Sequence, residues 1–160
     1  MNDEVLGDEA RSETALPSDA IVKTVHVPLA PDRAFELFTA RMAEWWPLAT
    51  HSAGGLDAVS VAIDGHVGGL VVETLGDGST SVWGTVTRWA PPHELAFTWH
   101  PGNGPEEATD VSVTFSPDAD GSTVTLVHTG WAKRRDADDD LHARYVTGWE
   151  YVLGRFAAAA

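Results

Sequence analysis

Thr109-Asp110-Val111-Ser112-Val113-Thr114-Phe115 and, past the turn Asp118-Ala119-Asp120-Gly121, Thr123-Val124-Thr125-Leu126-Val127-His128 decide the fold of this chain. Apolar and polar residues alternate in both runs, the period-two pattern of a strand with one face against a core. Val111, Val113 and Phe115 make one inward row, and Val124, Leu126 and His128 make the other. Two such runs about an Asp-Gly turn predict an antiparallel hairpin.

The same pattern extends toward the N-terminus. Glu94 to Trp99 is a run ended by Pro101-Gly102, and Ser81 to Trp89 is one ended by Pro91-Pro92. Leu70 to Leu75 leads into Asp77-Gly78, a hairpin signal. Val59, Val61 and Ile63 alternate with Ser60, Ala62 and Asp64. These six runs, joined by short turns, read as an antiparallel meander. A further β-branched run, Ile21 to Val27, is expected to pair with the last strand.

Two segments carry helical spacing instead. Pro31 and Asp32 suit a first turn, and Ala34, Leu37, Phe38, Met42 and Trp45 form a stripe that stops at Trp46-Pro47. This predicts one helix or two short ones after the first strand. At the other end Asp138, Asp139 and Asp140 can cap a long helix whose apolar stripe is Leu141, Tyr145, Trp149, Val152 and Phe156. The fold class is α+β: a curved seven-stranded antiparallel sheet wrapped around the C-terminal helix, spanning residues 21–157. A curved sheet and a straight helix fit imperfectly, so a cavity between them is expected.

The chain has 160 residues, a one-domain length. Its net charge is -14, which repels phosphate backbones and anionic lipid, so neither nucleic acid nor membrane is an expected partner. Its apolar runs are far shorter than the roughly 20 residues needed to span a bilayer. Without cysteine there is no disulfide, thiolate metal site or cysteine nucleophile, a composition that fits a cytoplasmic protein. Residues 1–20 hold six acids and one base with only isolated apolar residues, and read as a disordered acidic tail without the features of a secretory signal.

Several motifs, taken in order, resemble a known superfamily. They are Glu44-Trp45-Trp46-Pro47 with His51-Ser52, Val67-Gly68-Gly69 followed by Glu73, and Trp83-Gly84-Thr85-Val86 with Trp89-Ala90-Pro91-Pro92. Leu95-Ala96-Phe97-Thr98-Trp99, His128-Thr129-Gly130-Trp131, and Tyr145 with Gly148-Trp149 and Leu153 complete the set. From about Ile21 to Phe156 the chain resembles the SRPBCC (START-like, helix-grip) superfamily, and within it the family named for the activator of the heat-shock-protein-90 ATPase. The resemblance implies a helix-grip fold with a hydrophobic ligand cavity, and the family name adds a chaperone partner and a stress response. The family shares no catalytic set, so none is carried over.

Seven tryptophans offer large apolar bodies with one donor each, for core packing or for lining a pocket. Trp45, Trp46 and Trp149, with Trp99, are the pocket candidates, whereas Trp89 beside two prolines reads as a packing post. His128 continues an inward row, as a structural imidazole or a polar anchor for ligand. Tyr145 and His51 are further anchors, while His100 and His142 read as exposed. Glu73 falls on either face according to register, and is expected to be solvated or paired with Arg88. Gly148 costs about 1 kcal/mol against alanine inside a helix, so a close approach of backbone to sheet or ligand is expected there. Lys133-Arg134-Arg135 reads as a solvated loop neutralised by the aspartates that follow. No H-E-x-x-H, H-x-H, phosphate loop or G-x-S-x-G occurs, so neither metal nor cofactor is expected. The leading expectation is a binder of an apolar or aromatic small molecule rather than an enzyme. The rivals are a co-chaperone that stimulates a chaperone ATPase, and a cyclase- or aromatase-type enzyme using His128.

Overall fold

The computed structural model describes residues 16–160. Of the expected tail, residues 1–15 lie outside the described part. Seven strands form one antiparallel sheet: β1 (Ile21–Val27), β2 (Ala58–Ile63), β3 (Leu70–Leu75), β4 (Thr80–Ala90), β5 (Glu94–Trp99), β6 (Thr109–Asp118) and β7 (Gly121–Thr129). The spatial order is β1-β7-β6-β5-β4-β3-β2. The meander is therefore present, and β1 closes onto the last strand with Ile21 opposite His128 and Val27 opposite Ser122. The β6–β7 ladder pairs Val111 with His128, Val113 with Leu126 and Phe115 with Val124, which puts both inward rows on one face. All six of those side chains are buried.

The sheet is not flat. Register shifts fall between Ala58 and Ser60, Val71 and Val72, and Val86 and Arg88. Such irregularities bend a strand and raise its twist. Gly84 belongs to the same bend, since a Cβ there would run into the carbonyl of Thr98 on β5. Only glycine permits so close an approach of two backbones.

Helix α1 (Pro31–Phe38) starts with proline in its first turn and buries Ala34, Phe35, Leu37 and Phe38. It is shorter than the stripe extending to Trp45. The Thr39 hydroxyl donates to Phe35 O at 2.7 Å, and a short turn, Met42–Glu44, follows. Trp45 is beyond the helix and donates its indole N–H to Leu37 O at 2.8 Å. Helix α2 (Asp139–Ala159) begins at the Asp138 cap, whose carboxylate accepts from Leu141 N at 2.8 Å. Its face Trp149, Val152, Leu153 and Phe156 is buried against the concave side of the sheet. No helix among the described residues is long and apolar enough to cross a membrane.

Aromatic rings fill much of the space between sheet and helix. Phe156 meets Phe38 and Trp45 with ring centres 5.2 Å from each, and Trp83 lies 5.5 Å from Trp99. Trp89 packs edge-on against Phe35 at 5.0 Å, the packing post its neighbouring prolines implied. Indoles and phenyl rings are bulky enough to fill the space beneath the C-terminal end of the helix, and the cavity expected from sheet curvature is confined to its N-terminal part, from Leu141 to Val152. Phe156→Ala should cost about 3–5 kcal/mol of unfolding free energy in urea, as a large ring is removed from a site with no exposure. Tyr151→Ala, on the solvent side of the same helix, should cost less than 1 kcal/mol.

Candidate functional site

A cleft of about 370 Å3 opens where the C-terminal helix leaves the sheet. One wall is the segment Thr50 to Ala53 with Trp46, another is Trp99 with Pro101, and the third is α2 from Leu141 to Val152. Of the residues singled out from sequence, Trp46, His51, Trp99, Tyr145 and Trp149 converge on it. Trp45 does not: it is buried behind Trp46, with ring centres 5.6 Å apart. Sequence reasoning did not assign Thr50, Ser52, Ala53, Pro101, Leu141, Arg144 and Val152 to the site; the fold gathers them there.

His128 lies beneath the cleft wall and is fully buried. Its Nδ1 accepts from Trp149 Nε1 at 2.9 Å, which leaves the ring proton on Nε2, facing Thr109 Oγ1 at 2.6 Å. The Thr109 hydroxyl in turn donates to Trp99 O at 3.2 Å. Both ring nitrogens are satisfied inside the protein, so neither is offered to a ligand. Burial, with the charges of Arg134 and His142 in support, pushes its pKa down to about 3. The residue is a neutral structural link between α2 and the sheet.

His51 is the imidazole that borders the cleft. Its Nδ1 is 2.7 Å from Thr50 Oγ1, and its ring stacks on Tyr151 with centres 5.1 Å apart. Burial lowers its pKa below the ordinary value and favours the neutral ring. Across from it lies Gly148, where an added Cβ would come no nearer than 3.9 Å to the His51 ring. The backbone therefore does not require glycine at this position. The missing side chain leaves space in the cleft rather than permitting a tight contact with the sheet.

Glu73 departs from expectation. It shares the inner face of β3 with Val71 and has no exposure. Its carboxylate accepts from Ala53 N at 2.9 Å, Gly54 N at 2.8 Å and Trp83 Nε1 at 2.7 Å. Arg88 pairs instead with Glu94 at 2.8 Å. Three N–H donors take the place of the missing cation, which is how a buried carboxylate is tolerated. The contact fastens the loop that forms one cleft wall.

Three other readings are corrected. His100 is buried, not exposed, because the turn after β5 folds back so that its Nδ1 sits 2.9 Å from Asn103 O. His142 is half-buried, with its ring edge-on to Trp131 and Nε2 at 2.7 Å from Asp19 O. Arg134 is not solvated: its side chain is 8% exposed, paired with Asp136 at 2.6 Å, its guanidinium carbon 6.0 Å from the centre of the Tyr145 ring. No group of three metal-ligating side chains occurs among the described residues.

The family model described as "Activator of Hsp90 ATPase homolog 1-like protein" matches residues 28–160. The chain belongs to this family. Its relatives of known structure agree in fold. Txn09, an anthrahydroquino-γ-pyrone synthase, is 30% identical, with 88% of this chain and 96% of that one covered at a TM-score of 0.62. DynU16, from the dynemicin biosynthetic locus, is 23% identical with a TM-score of 0.64, and 89% of this chain covers 47% of it. The Aha1 dimer from Colwellia psychrerythraea is 19% identical, with 88% and 94% covered at a TM-score of 0.62. No curated protein matches the sequence.

Two outcomes follow from this geometry. Glu73→Gln replaces an acceptor by an amide that opposes a donor, and should cost about 1–3 kcal/mol and speed hydrogen exchange at the Ala53 and Gly54 amides. For His128 the folded pKa lies below that of the unfolded chain, so its contribution is complete above about pH 6.5 and is lost as pH falls toward 3. Urea stability should therefore drop more steeply between pH 6 and 4 in the wild type than in His128→Gln, by up to about 1.4 kcal/mol per pH unit.

Proposed function

We propose that the cleft binds a planar aromatic small molecule of fused-ring, polyketide-like character. The observation that carries this reading is the wall itself: three indoles, Trp46, Trp99 and Trp149, and one phenol, Tyr145, around about 370 Å3. That volume falls within the range of about 300–1,000 Å3 typical of small-molecule sites, and aromatic walls suit a flat guest, with Thr50, His51, Ser52 and Arg144 as polar groups lining the same space. Apolar burial would supply affinity at about 25 cal/mol per Å2 before ordering costs. The kinship with Txn09, a synthase of a fused-ring pyrone, supports the same ligand class.

A second reading, a cyclase-type enzyme, is supported by His51, a neutral imidazole at the cleft whose Nε2 makes no hydrogen bond among the described residues. It would serve as general base in place of the expected His128. The co-chaperone reading rests on the family description and on the Aha1 likeness at 19% identity. Increased ATPase turnover of a purified cognate chaperone on addition of this chain would favour it over both.

Titration with xanthone, a planar tricyclic γ-pyrone, should quench tryptophan fluorescence saturably in the micromolar range. Gly148→Leu should weaken that binding about tenfold or more by filling the cleft, whereas Gly154→Leu, on the exposed side of the same helix, should leave it within about twofold.

A further inference from the structure

The Tyr145 hydroxyl is held in an unusual way. It accepts a hydrogen bond from Trp99 Nε1 at 3.2 Å. The Arg134 guanidinium carbon lies 6.0 Å from the ring centre. Indole and guanidinium are donors without acceptor capacity. The phenol oxygen therefore faces donors, and its own proton has no acceptor among the described residues. A half-buried hydroxyl on an open cleft can give that proton to water or to an acceptor on a guest that displaces the water.

Both Tyr145 and Trp99 line the cleft, so the free proton is presented to whatever the cleft admits. The ring cannot turn away easily. It is flanked by His128 at 5.2 Å and Trp131 at 5.4 Å between ring centres, and its backbone is in the second turn of α2. His128 is no competitor for the proton, because both its nitrogens are engaged elsewhere.

We infer that Tyr145 is the specificity-determining donor of the cleft, reading a carbonyl or enolate oxygen on the bound ring system. This rests on the ligand class proposed above and narrows it: the guest carries an oxygen acceptor at its edge, not only a flat hydrocarbon face. The Trp99 indole polarises the hydroxyl by donating to its oxygen, which strengthens the outgoing bond. The same donor would stabilise an enolate if the bound ketone were turned over.

The test uses a matched pair of probes, xanthone and xanthene, which share three rings and differ in one carbonyl oxygen. The wild-type chain should bind xanthone about fivefold to tenfold more tightly than xanthene by fluorescence titration. In Tyr145→Phe the two affinities should become equal within about twofold, through loss of xanthone affinity with xanthene binding retained. Melting and near-ultraviolet circular dichroism of the variant report whether the ring stays in place. An undiminished preference for xanthone in Tyr145→Phe would overturn the inference, as would equal loss of both probes, which marks a merely structural tyrosine. Equal wild-type affinity for both overturns it while leaving the ligand-binding reading intact. No wild-type binding of either probe overturns that reading and this one together.

Discussion

One hydrogen bond, from Trp149 Nε1 to His128 Nδ1, fixes where the C-terminal helix lies on the sheet. Apolar contact alone is non-directional and would let a helix slide or rotate over a concave face. A buried polar pair removes that freedom, because any slip leaves both an indole N–H and an imidazole nitrogen unpaired. With Trp149 fixed, Tyr145 one turn earlier meets Trp99, and Val152 and Phe156 meet the aromatic layer beyond. The position of the cleft is a consequence of that placement.

The interior shows why the cleft is open rather than enclosed. Trp45, Trp83, Phe38, Phe115 and Phe156 occupy the middle of the molecule with almost no exposure. Close packing of such rings leaves little room for a void beneath the helix. The cleft opens where the aromatic layer gives out, at Gly148 and the Thr50–Ala53 segment. The tryptophans thus act as both filler and wall, with Trp46 and Trp99 touching the core on one side and the cleft on the other.

Period-two alternation made the strands, their order and the inward row ending at His128 legible in the sequence, since one-sided burial imposes that pattern. The long helix was equally legible from its stripe and its aspartate cap. The segment after the first strand, read as one helix or two short ones, is one helix and a short turn, and Trp45, which has helical spacing from Phe38, reaches the core after both have ended. Glu73 was misassigned for a related reason. Alternation left two registers open, and the three donors that make an inward carboxylate tolerable come from residues 53, 54 and 83, separated from it by loop and turn. His100 was misread because a backbone turn, not a strand pattern, buries it. At the cleft, aromatic residues stood out by type, whereas Thr50, Pro101 and Arg144 are ordinary residues whose proximity only three-dimensional folding creates.

The Glu73 anchor grips its loop through main-chain amides rather than side chains. Every amino acid except proline carries the N–H that this grip needs at position 53, and the Ala53 side chain is exposed on the cleft rim. Substitution at that rim position can therefore change the surface lining the cleft while the wall beneath stays put. A wall anchored in this manner separates what the rim displays from what holds it rigid.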